Sequence, residues 1–286
     1  MTEIELEGGA NDWDLPVLKI HLRREDQSAG WILVRFPERM DARDRGKGES
    51  LRLYKDNRSP DWPAALACEP VGLPVAWTGT PQDLGFAMRF DNGMGFTARA
   101  RVDGCRVVFS FDLENHTALD LLEVKVDICI QGQHVPDVCD PRGERTVFPM
   151  NGRFQPVRSL IPELEGFQMV GSQGHRFYGY PEEPKRALKN PHATPHPGFP
   201  DDPERAIYRW SVLERIDAPV IALLSKEEDW CLAAASDSAS PVWSNPALSC
   251  MHSSPVVPRC DAGETIYLSN TLWVLDGGVD ALAALL

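Results

Sequence analysis

Residues 84–130 hold four strand-length runs in succession, LGFAMRF, GFTARARV, CRVVFSFDL and LLEVKVDICI, each with apolar and polar side chains in partial alternation. A period of two marks a strand with one buried face and does not fit a helix. Asp91-Asn92-Gly93 and Asp103-Gly104 fall between runs, and an Asp-Gly pair is the short-range signal of a tight hairpin. In the last run Leu122, Val124, Val126, Ile128 and Ile130 are expected on one face. Glu123, Lys125 and Asp127 are then expected on a solvated face, as in a half-exposed antiparallel strand. The stretch reads as a four-strand meander.

The same grammar extends outward. Residues 17–22 and 30–36 read as strands joined across a polar connection at 23–29. Ile4 and Leu6 alternate with Glu3, Glu5 and Glu7, a run too short to separate an edge strand from coil. Residues 38–58 are dominated by charge and are expected to form an exposed loop. Trp62, Pro63, Pro70, Pro74 and Trp77 exclude a helix, since proline lacks the amide donor. Further strand candidates lie at 145–148, 153–157, 206–213, 220–224, 231–235 and 264–275, and only 279–286 reads as helix. Residues 181–203 carry seven prolines and are expected to form a long loop, either a lid or partner contact or a tolerated insertion. Many short strands with hardly a helical period predict an all-β, antiparallel β-sandwich with long loops. A single domain over 1–286 is expected, with N-terminal strands and loops at 1–80 and the main sandwich at 81–286.

Composition narrows the partners. A net charge of −13 opposes a nucleic-acid backbone or an anionic membrane as the main ligand. The seven cysteines include no CxxC pair, and Cys105 and Cys129 stand in apolar runs. Buried free thiols in a reducing compartment are therefore expected. The opening MTEIELEGGANDWDL has neither a basic nor an apolar targeting segment, and no apolar run approaches the ~20 residues of a membrane helix. A bacterial cytoplasmic protein is the expectation, with a homo-oligomer or a partner protein left open.

Two clusters carry candidate chemistry. The first is His134, Asp137, Asp140, Arg142, Glu144 and Arg145. Its imidazole and carboxylates suit a divalent metal or an acid–base pair, although no established ligand spacing is present and a charged turn is the plain alternative. Arg142 and Arg145 offer planar forks for a carboxylate or for sugar hydroxyls. The second joins Trp243 and Asn245 to Cys250 and His252. It combines an indole face, an amide, hydroxyls and an imidazole, the mixture that binds sugar rings. Cys250 and His252 share a strand face without necessarily meeting, and catalytic Cys–His pairs usually come from separate elements. His175, in GHRFYGY, is a third histidine candidate for a pocket. His192 and His196 have helical metal spacing, but Pro191, Pro195 and Pro197 exclude the helix. There is no P-loop, no strand–glycine–helix nucleotide site and no GxSxG elbow.

The order of CRVVFSFDLENHTALDLLEVKVDICIQ, ERTVFPMNGRFQPV and SNPALSCMHSSPVVPRCDAGETIYLSNTLWVLDG resembles the layout of galactose-mutarotase-like supersandwiches over residues 84–286. That resemblance implies carbohydrate ligands and acid–base chemistry by histidines with a carboxylate. His134, His175 and His252 are the histidines it selects, with Asp137 or Glu144 as carboxylate and Arg142, Arg145, Trp243 and Asn245 as sugar contacts. Its family's residue pattern is not matched motif by motif. A carbohydrate-binding or carbohydrate-active protein is the leading expectation, without a resident cofactor. A non-catalytic protein-interaction subunit and a metal-dependent enzyme using residues 134–144 stand beside it.

Overall fold

In the computed structural model the alternation of the central runs becomes burial. Val107, Phe109, Phe111 and Leu113 are buried along Arg106–Asn115, and Phe96, Ala98 and Ala100 along Met94–Asp103. Residues 2–12, 14–25, 27–48, 50–55, 70–73, 75–160, 169–172, 177–178, 193–195, 208–210, 216–236, 239–245 and 248–286 are described.

The strands are β1 (Thr2–Ala10), β2 (Pro16–Arg24), β3 (Gln27–Asp44), β4 (Ser50–Lys55), β5 (Pro70–Val71), β6 (Thr78–Thr80) and β7 (Asp83–Phe90). They continue with β8 (Met94–Asp103), β9 (Arg106–Asn115), β10 (Leu121–Gln131), β11 (Thr146–Met150) and β12 (Arg153–Pro156). A short helix α1 (Val157–Leu160) precedes β13 (Met169–Ser172), β14 (Phe177–Tyr178), β15 (Ala193–Pro195) and β16 (Tyr208–Trp210). The chain closes with β17 (Val220–Leu224), β18 (Trp230–Ala235), β19 (Ala239–Asn245), β20 (Cys250–Cys260), β21 (Thr265–Asp276) and α2 (Gly278–Ala283). Among the described residues no helix is long and apolar enough to cross a membrane, which says nothing of a β-barrel. The chain divides into two compact units, residues 1–129 with 254–272, and residues 130–253 with 273–286.

The first unit is a sandwich of two sheets. One runs β1-β2-β3-β10-β20, with β4 also on β3; the other runs β21-β9-β8-β7-β5, with β6 on β7. Its core is aromatic. Phe36 of β3 packs on Phe109 and Phe111 of the opposing sheet at 5.0 and 4.6 Å between centroids, and edge-on against Phe86 at 6.1 Å. Gly104, with φ of 63°, turns β8 into β9 through the two residues between Asp103 and Arg106. Only glycine adopts that conformation without strain.

Five readings change here. The meander has three strands, β7-β8-β9, because β10 crosses to the other sheet, beside β3. Alternation specifies which side of a strand is apolar but not which neighbour it pairs with, and an apolar side turned to a shared core serves either sheet. Buried Asn115 holds the corner: its side-chain amide donates to the carbonyls of Leu119 (2.9 Å), Cys260 (3.1 Å) and Asp261 (3.1 Å). The charged stretch at 38–58 is largely strand, since β3 continues to Asp44 and pairs with β4 through Arg39↔Lys55 to Arg43↔Ser50. Cys105 is exposed in its hairpin turn, while Asp127 is fully buried. The acidic run at the N-terminus is a full strand, β1, paired with β2 along its whole length.

The second unit also carries two sheets, β20-β19-β13-β16-β15 with β14 on β13, and β12-β11-β17-β18-β21. Among the described residues β11 pairs antiparallel with β12 and β17, β13 with β14 and β19, β15 with β16 and β17 with β18, whereas β13 pairs parallel with β16. Val147, Ala222, Leu224, Cys231 and Ala233 form a buried aliphatic face, and Leu282 of α2 packs on it.

Candidate functional site

A charge ladder runs along β3 and β10 in the first unit. Arg45 pairs with Asp120 at 3.4 Å, Arg43 with Glu123 at 3.6 Å, and Asp41 with Lys125 at 3.9 Å. Arg39 closes the series on Asp127, whose other oxygen accepts the Ser254 hydroxyl. From Arg43–Glu123 to Arg39–Asp127 each rung lies two residues further along its strand, so these three sit on one face, while Arg45 and Asp120 lie just beyond the strand ends. The two outer rungs are exposed, 49% and 41% at Arg45–Asp120 and 50% and 64% at Arg43–Glu123, and exposure drops to 20% and 0% at Arg39–Asp127. At the buried end Lys125 Nζ also reaches Asp127 at 3.2 Å, and Arg39 Nε reaches Asp41 at 2.9 Å. Burial, then the Arg39 charge, hold the Lys125 amine below its ordinary value despite the two carboxylates. For Arg39 burial acts against the charge, yet Asp127, Asp41 and Glu38 outweigh it and raise the guanidinium. Sequence reading missed this group because its residues lie some eighty positions apart. The signal was present as opposite charges at matching two-residue intervals, R-x-D-x-R against E-x-K-x-D.

In the second unit the 134–145 cluster resolves into structural roles. Asp140 is buried, and its carboxylate accepts the amides of Glu144 (3.1 Å), Arg145 (2.8 Å) and Thr146 (2.7 Å) and the Thr146 hydroxyl (2.7 Å). The Arg145 guanidinium donates to the carbonyls of Asp137 (2.8 Å), Leu224 (2.8 Å) and Cys139 (2.6 Å). Asp137 accepts the Trp230 indole N–H at 2.7 Å. These bonds pin the turn that leads into β11. Arg142 is exposed and lies 3.8 Å from Glu144; His134 is exposed beside the Gln133 amide at 3.1 Å. The carboxylates of Asp137 and Asp140 are thus turned to protein donors, and the expected metal set of residues 134–144 does not assemble around them. His175, His192 and His196, with most of residues 181–203, lie outside the described residues.

The later cluster does come together. Trp243 on β19 stacks flat on His252 of β20, with centroids 3.3 Å apart and planes 14° from parallel. Trp243 is half-buried, whereas His252 and Asn245 are buried. Cys250 and His252, which the sequence places on one face, meet: Sγ lies 3.2 Å from Nε2. A strand carries residues i and i+2 on one side, and the indole fixes the imidazole plane so that its nitrogen faces the sulfur. The Asn245 backbone N–H donates to the same sulfur at 3.2 Å. A half-buried indole thus lies on a buried imidazole whose edge touches a thiol, two donor types that hold zinc-like ions.

No family model and no curated protein matches the chain. Among solved structures, a galactose mutarotase related enzyme from Lactobacillus acidophilus is similar at 9% identity, over 97% of this chain and 98% of that one, with a TM-score of 0.44. A galactose mutarotase-like protein from Lactobacillus casei matches at 8% identity over 94% and 100%, TM-score 0.43. An α-galactosidase from Geobacillus stearothermophilus matches at 13% identity over 86% of this chain and 31% of that one, TM-score 0.32. At such scores these likenesses carry nothing about chemistry.

Proposed function

We propose that this protein binds a neutral carbohydrate, with the Trp243 indole as the platform for one sugar ring. The stacked Trp243–His252 pair carries the reading. Packing on a buried imidazole holds the indole in one orientation, and a rigid, half-exposed ring is what the apolar face of a pyranose needs. The stack and the thiol contact bring together an indole, an imidazole and a thiol, with no carboxylate or guanidinium among these three, which favours a neutral sugar over a sugar acid. Arg145 spends its guanidinium on the carbonyls of Asp137, Leu224 and Cys139 and is assigned no ligand contact.

Calorimetric titration against a panel of neutral sugars and sugar acids tests this. A neutral sugar should bind, and Trp243→Ala should weaken it by about 1–2 kcal/mol, roughly tenfold, while Trp243→Phe retains much of the affinity. Absence of binding by every sugar at millimolar concentration, or equal affinity in Trp243→Ala, rejects the proposal.

A further inference from the structure

Cys250 and His252 also have the makings of a metal centre, independently of any sugar. We infer that Cys250 Sγ and His252 Nε2 are two protein ligands of a thiophilic divalent cation of the zinc class. Zinc sits about 2.3 Å from sulfur and about 2.0–2.1 Å from imidazole nitrogen, so a tetrahedral ion spaces the two donors by roughly 3.5 Å. Their separation is 3.2 Å, so an opening of a few tenths of an ångström admits the ion.

Both donors are held for that role. The Trp243 ring fixes the imidazole plane, and the Asn245 N–H bonded to Sγ is the kind of outer contact that orients a sulfur ligand. Cys250 is 1% exposed and His252 0%, so bulk water competes little for the donors. A sulfur and an imidazole select zinc, cobalt or cadmium over magnesium or calcium, which require oxygen ligands. Binding converts the thiol to a metal thiolate and releases its proton to solvent, with no change of oxidation state. Two protein ligands leave the remaining positions of a tetrahedral ion to other donors.

The test is a cobalt titration of the full chain, starting metal-free, that follows the visible ligand-field bands and the sulfur-to-cobalt charge-transfer band. The expected result is saturation at one equivalent with both features. Cys250→Ser should abolish the charge-transfer band, and Cys105→Ser, at the exposed thiol, should leave it unchanged. His252→Gln should weaken binding by at least the roughly 10–100-fold that losing an outer-shell partner costs. X-ray absorption on the unsubstituted protein gives a second reading that does not depend on variants folding, and it should show a sulfur and an imidazole in the first shell. A first shell of oxygen alone, no saturable binding, or a charge-transfer band that survives Cys250→Ser overturns the inference. Sugar titrations on the metal-free protein read the Trp243 proposal separately, so either can fail alone.

Discussion

The polar faces of the two units use opposite strategies. Along β3 and β10 Arg43, Asp41 and Arg39 face Glu123, Lys125 and Asp127, and the buried end is closed by Arg39, Asp41, Lys125, Asp127 and Ser254. Around Trp243 and His252 the contacts include a ring stack, a thiol and a backbone amide. Charges that satisfy one another specify register and leave little capacity for a ligand. A half-exposed ring beside a sulfur and an imidazole retains a surface and two donor atoms that something else can use. Density of charge is therefore a poor guide to function in this chain, as the bonded-in residues Asp137, Asp140 and Arg145 also illustrate.

The comparison breaks most readily at Asp127. Asp127→Ala leaves Arg39 and Lys125 facing each other without their shared carboxylate, and urea unfolding should show a loss of about 3–5 kcal/mol. A loss below about 1 kcal/mol would mean that the ladder does not organise the first unit. Next in size, Asp140→Ala strips three amides and a hydroxyl of their acceptor and should cost about 2–3 kcal/mol. Sugar affinity measured on the folded fraction should stay unchanged; a selective loss of affinity would return residues 137–145 to the site.

The alkaline limb of stability comes third. Burial pushes the Cys231 thiol from 9.0 up to about 12. Above pH 9 the unfolded chain releases this proton while the native chain keeps it, so stability falls with rising pH across that window, by roughly 1 kcal/mol at pH 10. Cys231→Ala should flatten that fall in denaturant titrations at several pH values, and an unchanged slope would contradict the assignment. The smallest effect belongs to the exposed end of the ladder. Asp120→Ala should cost less than about 0.5 kcal/mol, and the difference should vanish in high salt.

Much was legible in the chain itself. Alternation and turn residues identified the strands of 84–115 and the hairpin at Asp103-Gly104, because side-chain period and positive-φ glycine are local properties. The sandwich class followed from many short strands with little helix. Trp243, Asn245, Cys250 and His252 were recognisable as a group because they lie within ten positions of one another. Pairing partners were not legible: β10 left the meander for the opposite sheet, since an apolar face is equally buried from either side of a core. The charged stretch after Phe36 looked like loop because composition registers charge but not the matching charges some eighty residues later. The contact between Cys250 and His252 needed the side-chain orientation that only packing against Trp243 imposes. Local chemistry set which residues form strands and which of their sides are apolar. Only the tertiary structure decided which charges cancel and which sulfur meets which nitrogen, because those outcomes depend on distances between elements that the sequence does not encode locally.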